Sequence, residues 1–259
     1  IGDRAARVTR AARGAYRAIP PGARILDVRG MISRFPGVAL PRVLANVFAP
    51  GVPSDSLVAA WAIADSGGRV VVRSRQPMLR SACDPEARCF TTFDGTVPAG
   101  DYRVDVSIRG GRHQYGVAHL HVHLEPTPAS LVMSDLVVLC GDRLLATAAE
   151  VVRLEPDPAP RVRGRAALTV YYELDHLAID AGGGCRYAYT YEVRRAEATG
   201  SAEPVVQATR EESFAGGVRR QFVTVPMAEL RAGAYELRMT VHDLVAGTQV
   251  TRSASFARD

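Results

Sequence analysis

An all-β protein, built as two tandem immunoglobulin-like β-sandwiches behind a short N-terminal basic helix or arm, is predicted by three observations in the 259-residue sequence. First, beyond the arm the chain breaks into short segments rich in Val, Leu, Tyr and Phe, divided by clusters of Gly, Pro, Asp and Ser. That spacing is the pattern of strands joined by turns. Second, Asp101-Tyr102-Arg103-Val104-Asp105-Val106-Ser107-Ile108 alternates polar and apolar residues, so one face is buried and one is wet. Third, the two halves echo each other. Val97-Pro98-Ala99-Gly100-Asp101-Tyr102 matches Leu230-Arg231-Ala232-Gly233-Ala234-Tyr235, each a Gly-x-Tyr turn opening an alternating strand. A composition of 47% hydrophobic and 23% charged residues excludes disorder and collagen, and the length accommodates two domains with their own cores.

The arm spans residues 1–38. Nine arginines against Asp3 and Asp27 give residues 1–43 a charge of +7, while the rest of the chain sums to −2, so the net +5 belongs to the arm. All 32 basic residues are arginine, which GC-rich codon usage explains as readily as guanidinium chemistry. On a helical wheel Arg7, Arg10, Arg13 and Arg17 share one side of residues 4–19, opposite Val8, Ala12, Ala15, Tyr16 and Ile19. Pro20-Pro21-Gly22 ends this helix. Either it packs on its own domain, or Arg4, Arg7, Arg10, Arg13 and Arg17 dock on an acidic protein surface or on anionic lipid headgroups. Nucleic acid is disfavoured, because no recognition-helix pattern accompanies the arm. No apolar run of about 18 residues occurs, so no membrane-spanning helix is expected.

The first sandwich covers 39–125, with strands near 42–49, 56–64, 69–75, 88–93, 101–108 and 115–124. Residues 126–130 form the linker, since Pro126 and Pro128 disfavour both helix and ladder. The second sandwich covers 131–259, with strands near 131–140, 166–174, 186–195, 204–209, 218–225, 234–242 and 248–256. Between the first two of these, an insertion bearing Pro156, Pro158 and Pro160 is expected to wander over the surface.

Four groups of residues are candidates for chemistry or binding. On a strand, His119, His121 and His123 share one face and Leu120, Val122 and Leu124 the other. Two of the imidazoles suit a zinc site, with His113 or a neighbouring strand adding a ligand, but all three span roughly 13 Å, too far for one ion. The alternative is histidines facing solvent or a partner. Among four cysteines, Cys83 with Cys89 and Cys140 with Cys185 is the pairing that keeps each disulfide inside one domain; four reduced thiols is the alternative. Tyr187, Tyr189 and Tyr191 form a stripe on one strand face, suited to a protein interface or to a core. Trp61 or the tyrosines offer stacking platforms for carbohydrate, although a tryptophan in an apolar run suits a core.

Catalytic motifs are missing: there is no Gly-x-Ser-x-Gly elbow, His-Glu-x-x-His, Walker motif or dinucleotide fingerprint. Asp175-His176 and His242-Asp243 are adjacent on strands and point to opposite faces. No cofactor is expected.

Met133-Ser134-Asp135-Leu136, Leu168 to Leu174, Tyr187 to Val193, and Gly233 to Leu237 leading through Val241-His242-Asp243-Leu244 to Phe256 are the stretches by which the second half resembles the β-sandwich region of bacterial GWxTD-domain envelope proteins. The motif that names that family is absent, since Trp61 has neither the preceding glycine nor the following Thr-Asp. The resemblance implies a sandwich and an envelope setting, with no activity attached. A second resemblance is to the membrane-extrinsic subunit that braces the reaction centre within its light-harvesting ring in bacterial phototrophs. The expectation is a non-catalytic, periplasmic or envelope-facing structural subunit, peripheral to a membrane, whose partners are other subunits of a membrane-bound complex. The alternatives are a metal- or ligand-binding module on the His119/His121/His123 strand and a carbohydrate-binding accessory domain.

Overall fold

A computed structural model describes residues 22, 24–37, 39–50, 57–81, 88–111, 113–140, 155–156, 160–162, 166–196, 203–216 and 218–259. Among them all regular structure is β, in four sheets that form two sandwiches. The predicted basic helix lies outside the described residues.

The first sandwich holds β1 (Arg24–Ile25), β2 (Arg29–Phe35), β3 (Arg42–Pro50), β4 (Val58–Asp65), β5 (Val70–Pro77), β6 (Leu79–Arg80), β7 (Arg88–Thr96), β8 (Gly100–Gly110) and β9 (Gln114–Leu124). One sheet runs β1-β9-β8-β4-β5 and the other β2-β3-β7-β6. Alternation places Ala59, Trp61 and Ile63 of β4, Val104, Val106 and Ile108 of β8, and Val43, Ala45 and Val47 of β3 in one core. Trp61 stacks on Phe93 with ring centroids 5.1 Å apart. Gly95 makes room for that ring, since a Cβ there would sit 3.0 Å from it. The sequence assigns residues 1–38 to the arm, and for 24–35 this is corrected: β1 pairs in parallel with β9, and β2 pairs with β3 from Phe35↔Arg42 to Arg29↔Phe48. Arg29 and Arg34 point outward on β2 and lend the segment an arm-like charge, while Ser33 and Phe35 are buried.

The second sandwich holds β10 (Val132–Met133), β11 (Val137–Val138), β12 (Arg161–Val162), β13 (Ala167–Asp175), β14 (Cys185–Arg195), β15 (Val206–Phe214), β16 (Arg219–Pro226), β17 (Gly233–Asp243) and β18 (Gln249–Arg258). β10 and β11 pair with β13, which also pairs with β16; the facing sheet runs β12-β18-β17-β14-β15. This facing sheet repeats its counterpart in the first sandwich strand for strand: β12, β18, β17, β14 and β15 stand where β1, β9, β8, β4 and β5 do. The echo in sequence marks one device used twice. The Tyr102 hydroxyl donates to the Pro98 carbonyl at 2.9 Å, and the Tyr235 hydroxyl to that of Arg231 at 2.8 Å, each four residues upstream. Gly100 and Gly233 share φ of 150°, a backbone that side-chain-bearing residues rarely adopt. Such a tyrosine corner is a hallmark of immunoglobulin-like sandwiches. The described part of the insertion is anchored to the fold: Leu139 bridges Pro156, and β12 pairs in parallel with β18.

The sandwiches meet through the outer faces of β2 and β3 on one side and β11, β13 and β16 on the other. Phe35 and Leu44 pack there with Val137, Leu139 and Tyr171. The Arg34 guanidinium grips Asp135 with Nε and Nη2 at 3.0 and 2.8 Å. Arg42 donates to Glu173 at 2.7 Å while its guanidinium lies 4.9 Å above the Phe35 ring. Glu173 is buried, and it also accepts from the Tyr171 hydroxyl. β13 is therefore buried on both faces, which explains its almost continuous apolar sequence.

Candidate functional site

With the β2-β3-β7-β6 sheet turned toward the second sandwich, the outer face of the opposite sheet stays open, and its cross-strand register creates a trough there. One row reads Arg75, Ala60, Ser107, Val117 and the next Arg73, Ala62, Asp105, His119. Small side chains on β4 and β8 form the floor; long ones on β5 and β9 form the walls. The resulting cavity, about 740 Å³, is lined by these residues together with Arg103, Tyr115 and His121. The floor arises from β4 itself, whose alternation puts Trp61 and Ile63 inward and Ala60 and Ala62 outward.

The trough is cationic on one wall and self-neutralised on the other. Asp105 accepts from Arg103 at 2.9 Å and pairs with Nδ1 of His119 at 2.7 Å. Arg73 and Arg75 are exposed, and their guanidiniums make no hydrogen bond or ion pair with any described residue. With histidines neutral, three arginines against one aspartate leave a formal +2. An open, partly apolar cavity with two uncommitted guanidiniums suits an anionic, partly apolar partner.

The histidine strand lies where the sequence places it, but its three imidazoles are not gathered. His119 pairs with Asp105, and His123 pairs through Nδ1 with Asp101 at 2.8 Å. His121 stands opposite Arg103. His113 sits in the turn before β9, about 20 Å of strand away from His119. Among the described residues no three His, Cys, Asp or Glu side chains converge to hold a metal ion.

Tyr187, Tyr189 and Tyr191 belong to the second core and not to an interface, because β14 turns its odd-numbered residues inward. The Tyr187 hydroxyl donates to Glu212 at 2.7 Å, and Arg219 reaches the same carboxylate at 2.9 Å. Burial and the Glu212 hydrogen bond push the Tyr187 phenol up. Trp61 is buried to 2% exposure, which removes it as a sugar platform.

The predicted disulfides are also corrected. Cys140 is disulfide-bonded, whereas Cys89 and Cys185 are buried thiols, so neither predicted pair exists. Cys89 faces the first core, and the Cys185 thiol donates to the Leu177 carbonyl at 3.7 Å. Cys83 lies outside the described residues, as do Arg4, Arg7, Arg10, Arg13 and Arg17.

Asp243, noted beside His242, is a structural anchor. It is fully buried and accepts backbone N–H bonds from Ala178 at 2.7 Å, Val245 at 2.9 Å and Ala246 at 3.0 Å. Burial alone would raise its pKa, but these donors outweigh it and hold the carboxyl below its ordinary value. The sequence reading missed the trough itself. Its signal in the sequence is the alternation Ala60-Trp61-Ala62-Ile63, which sets two alanines on the face opposite Trp61 and Ile63.

No family model matches the chain, and no curated protein matches it. Among solved structures it is similar to a DUF3823 family protein from Bacteroides ovatus, at 9% identity and a TM-score of 0.29, covering 81% of this chain and 92% of that one. It is also similar to native Escherichia coli alpha-2-macroglobulin, at 10% identity and a TM-score of 0.28, covering 92% of this chain but 17% of the other. Likenesses this slight carry no functional assignment.

Proposed function

We propose that this protein is a non-catalytic interaction subunit, extrinsic to a larger membrane or envelope complex, that docks a partner in the trough of its first sandwich. The observation that carries this reading is the trough: a cavity of about 740 Å³ with an alanine floor and two uncommitted arginines on a sheet face. The joined sandwiches supply a rigid mount, since Arg34, Arg42 and the shared apolar cluster tie them together. The photosystem resemblance is one specific form of this reading.

An envelope-facing, oxidising location is supported by the disulfide at Cys140, because such bonds persist outside the reducing cytoplasm. No helix among the described residues is long and apolar enough to cross a membrane. Peptide mapping after alkylation without reductant should find Cys140 disulfide-linked and Cys89 and Cys185 alkylated; an alkylated Cys140 would argue against the oxidising compartment.

The function is tested by gentle purification of the tagged protein from its native membranes, in parallel with Ala62→Trp, which fills the trough, and Thr190→Trp, on the open face of the second sandwich. Wild type and Thr190→Trp should retain the same stoichiometric partners and Ala62→Trp should lose them. Equal recovery by all three would reject the trough as the docking face.

A further inference from the structure

We infer that the trough receives an acidic amphipathic helix of a partner protein, with its apolar stripe on the alanine floor and carboxylates one turn apart against Arg73 and Arg75. The inference rests on the proposal that the trough is the docking face.

Dimensions select a helix. The walls stand on β5 and β9, three strand spacings apart, which is roughly 14 Å. A helix with side chains is about 10–12 Å across and fills that width, whereas a single extended strand would leave most of it empty. Along the strands, the lining from Tyr115 to His121 extends for about 20 Å, enough for roughly three helical turns. Arg73 and Arg75 project to the same side, about 7 Å apart, and carboxylates at i and i+4 of a helix rise about 6 Å, so the two spacings match when the helix runs along β5.

Charge selects its sign and excludes two other occupants. Arg73 and Arg75 have no counter-ion among the described residues, and the one aspartate in the trough is committed to Arg103 and His119. The chain's own segment 4–19 is strongly basic and would be repelled by that wall. A second copy offers no helix among its described residues. The binding mode is therefore helix in groove, with small floor residues allowing close approach and the arginine wall fixing orientation.

The test uses the full chain and fluorescence anisotropy with three labelled 14-residue probes. One is a helix-stabilised peptide with a leucine stripe flanked by glutamates at i and i+4, the second carries lysines in place of those glutamates, and the third is an extended peptide alternating glutamate and valine. The acidic helix should bind at least tenfold more tightly than either of the others. Arg73→Glu combined with Arg75→Glu should weaken it at least tenfold and invert the preference toward lysine, and Ala62→Trp should block it. Equal binding of acidic and lysine helices, indifference to the double reversal, or stronger binding of the extended peptide would overturn the inference. Should the acidic helix fail while Ala62→Trp still strips partners from the native complex, the helical occupant falls and the docking face stands.

Discussion

The open faces of the two sandwiches belong to equivalent five-stranded sheets, yet they are finished differently. Aligned by strand register, the row Arg75, Ala60, Ser107, Val117 of the first corresponds to Thr209, Thr190, Thr240, Thr251 of the second. The threonines satisfy each other: Thr190 bonds Thr209 at 2.8 Å and Thr240 bonds Thr251 at 2.9 Å. In the next row Arg73, Ala62, Asp105, His119 corresponds to Gln207, Glu192, Arg238, Ser253, where Glu192 accepts from Arg194, outside the row, at 3.1 Å. The second face pairs its four threonines across the strands and keeps an uncommitted arginine, Arg238, whereas the first is hollowed at Ala60 and Ala62 and sets two uncommitted arginines side by side on one wall. Topology alone therefore does not place a site, and the side chains set on equivalent positions do.

The largest expected effect lies beneath the two faces, where they should behave alike. Trp61 and Tyr191 occupy equivalent core positions, and replacing either with alanine should cost about 3–5 kcal/mol of stability in urea unfolding. A cost under about 1 kcal/mol for one of them would break the equivalence of the two cores.

Next in size is the junction that leaves one face open. Arg42→Ala deprives the buried Glu173 of its closest cation and should destabilise by about 2–3 kcal/mol. Adding Glu173→Gln should recover much of that loss, because the uncompensated charge is removed. A double variant no more stable than Arg42→Ala would mean that lost packing on Phe35, and not charge, is responsible.

Acid should separate the sandwiches. Asp243 closes β17, and its counterpart at the end of β8 is Gly110, which has no carboxylate. Because the folded pKa of Asp243 lies below the unfolded one, its contribution is complete above about pH 5 and declines as pH falls through the folded value, below about 4. Tyrosine signals of the second core should therefore lose native dispersion at a higher pH than the Trp61 signal of the first. Asp243→Asn should flatten the pH dependence of stability between pH 5 and 3, and an unchanged slope would remove Asp243 as its source.

The smallest energies test the faces themselves. Thr190→Ala should cost about 0.2–1 kcal/mol through its cross-strand partner and leave partner association unchanged. Arg73→Glu with Arg75→Glu should alter stability by no more than about 0.5 kcal/mol while lowering association sharply. If the threonine change impaired association as much as the arginine changes, the contrast between the faces would be lost.

Strand positions were legible because alternation and turn residues are local: Asp101 to Ile108 announced β8 but for its ends, Gly100 and Arg109-Gly110. The duplication was legible through Gly100-x-Tyr102 and Gly233-x-Tyr235, because one hydroxyl-to-carbonyl bond recurs at fixed spacing. β1 and β2 were hidden, since Arg24, Arg29 and Arg34 gave them the charge of the segment before them. The tyrosine stripe and Trp61 show the other limit: period two says that residues share a face but not which face is inward. The trough was illegible for a related reason. It is a property of rows running across four strands, and Ala60, Ser107 and Val117 meet only once register is known.

The two-residue strands β1 and β12, each paired in parallel with the last strand of its sandwich, set a schedule for folding. Arg24 must find Gln114, and Arg161 must find Ala257, so each sandwich keeps an unpaired strand waiting until its last strand has formed. During synthesis the first unit can close once residue 124 is free, while the second stays unfinished until β18 has emerged, holding the edge of β17 exposed. A ribosome pausing before residue 249 would thus present a complete first sandwich beside a half-built second one, and that pause is where chaperone demand and aggregation should concentrate.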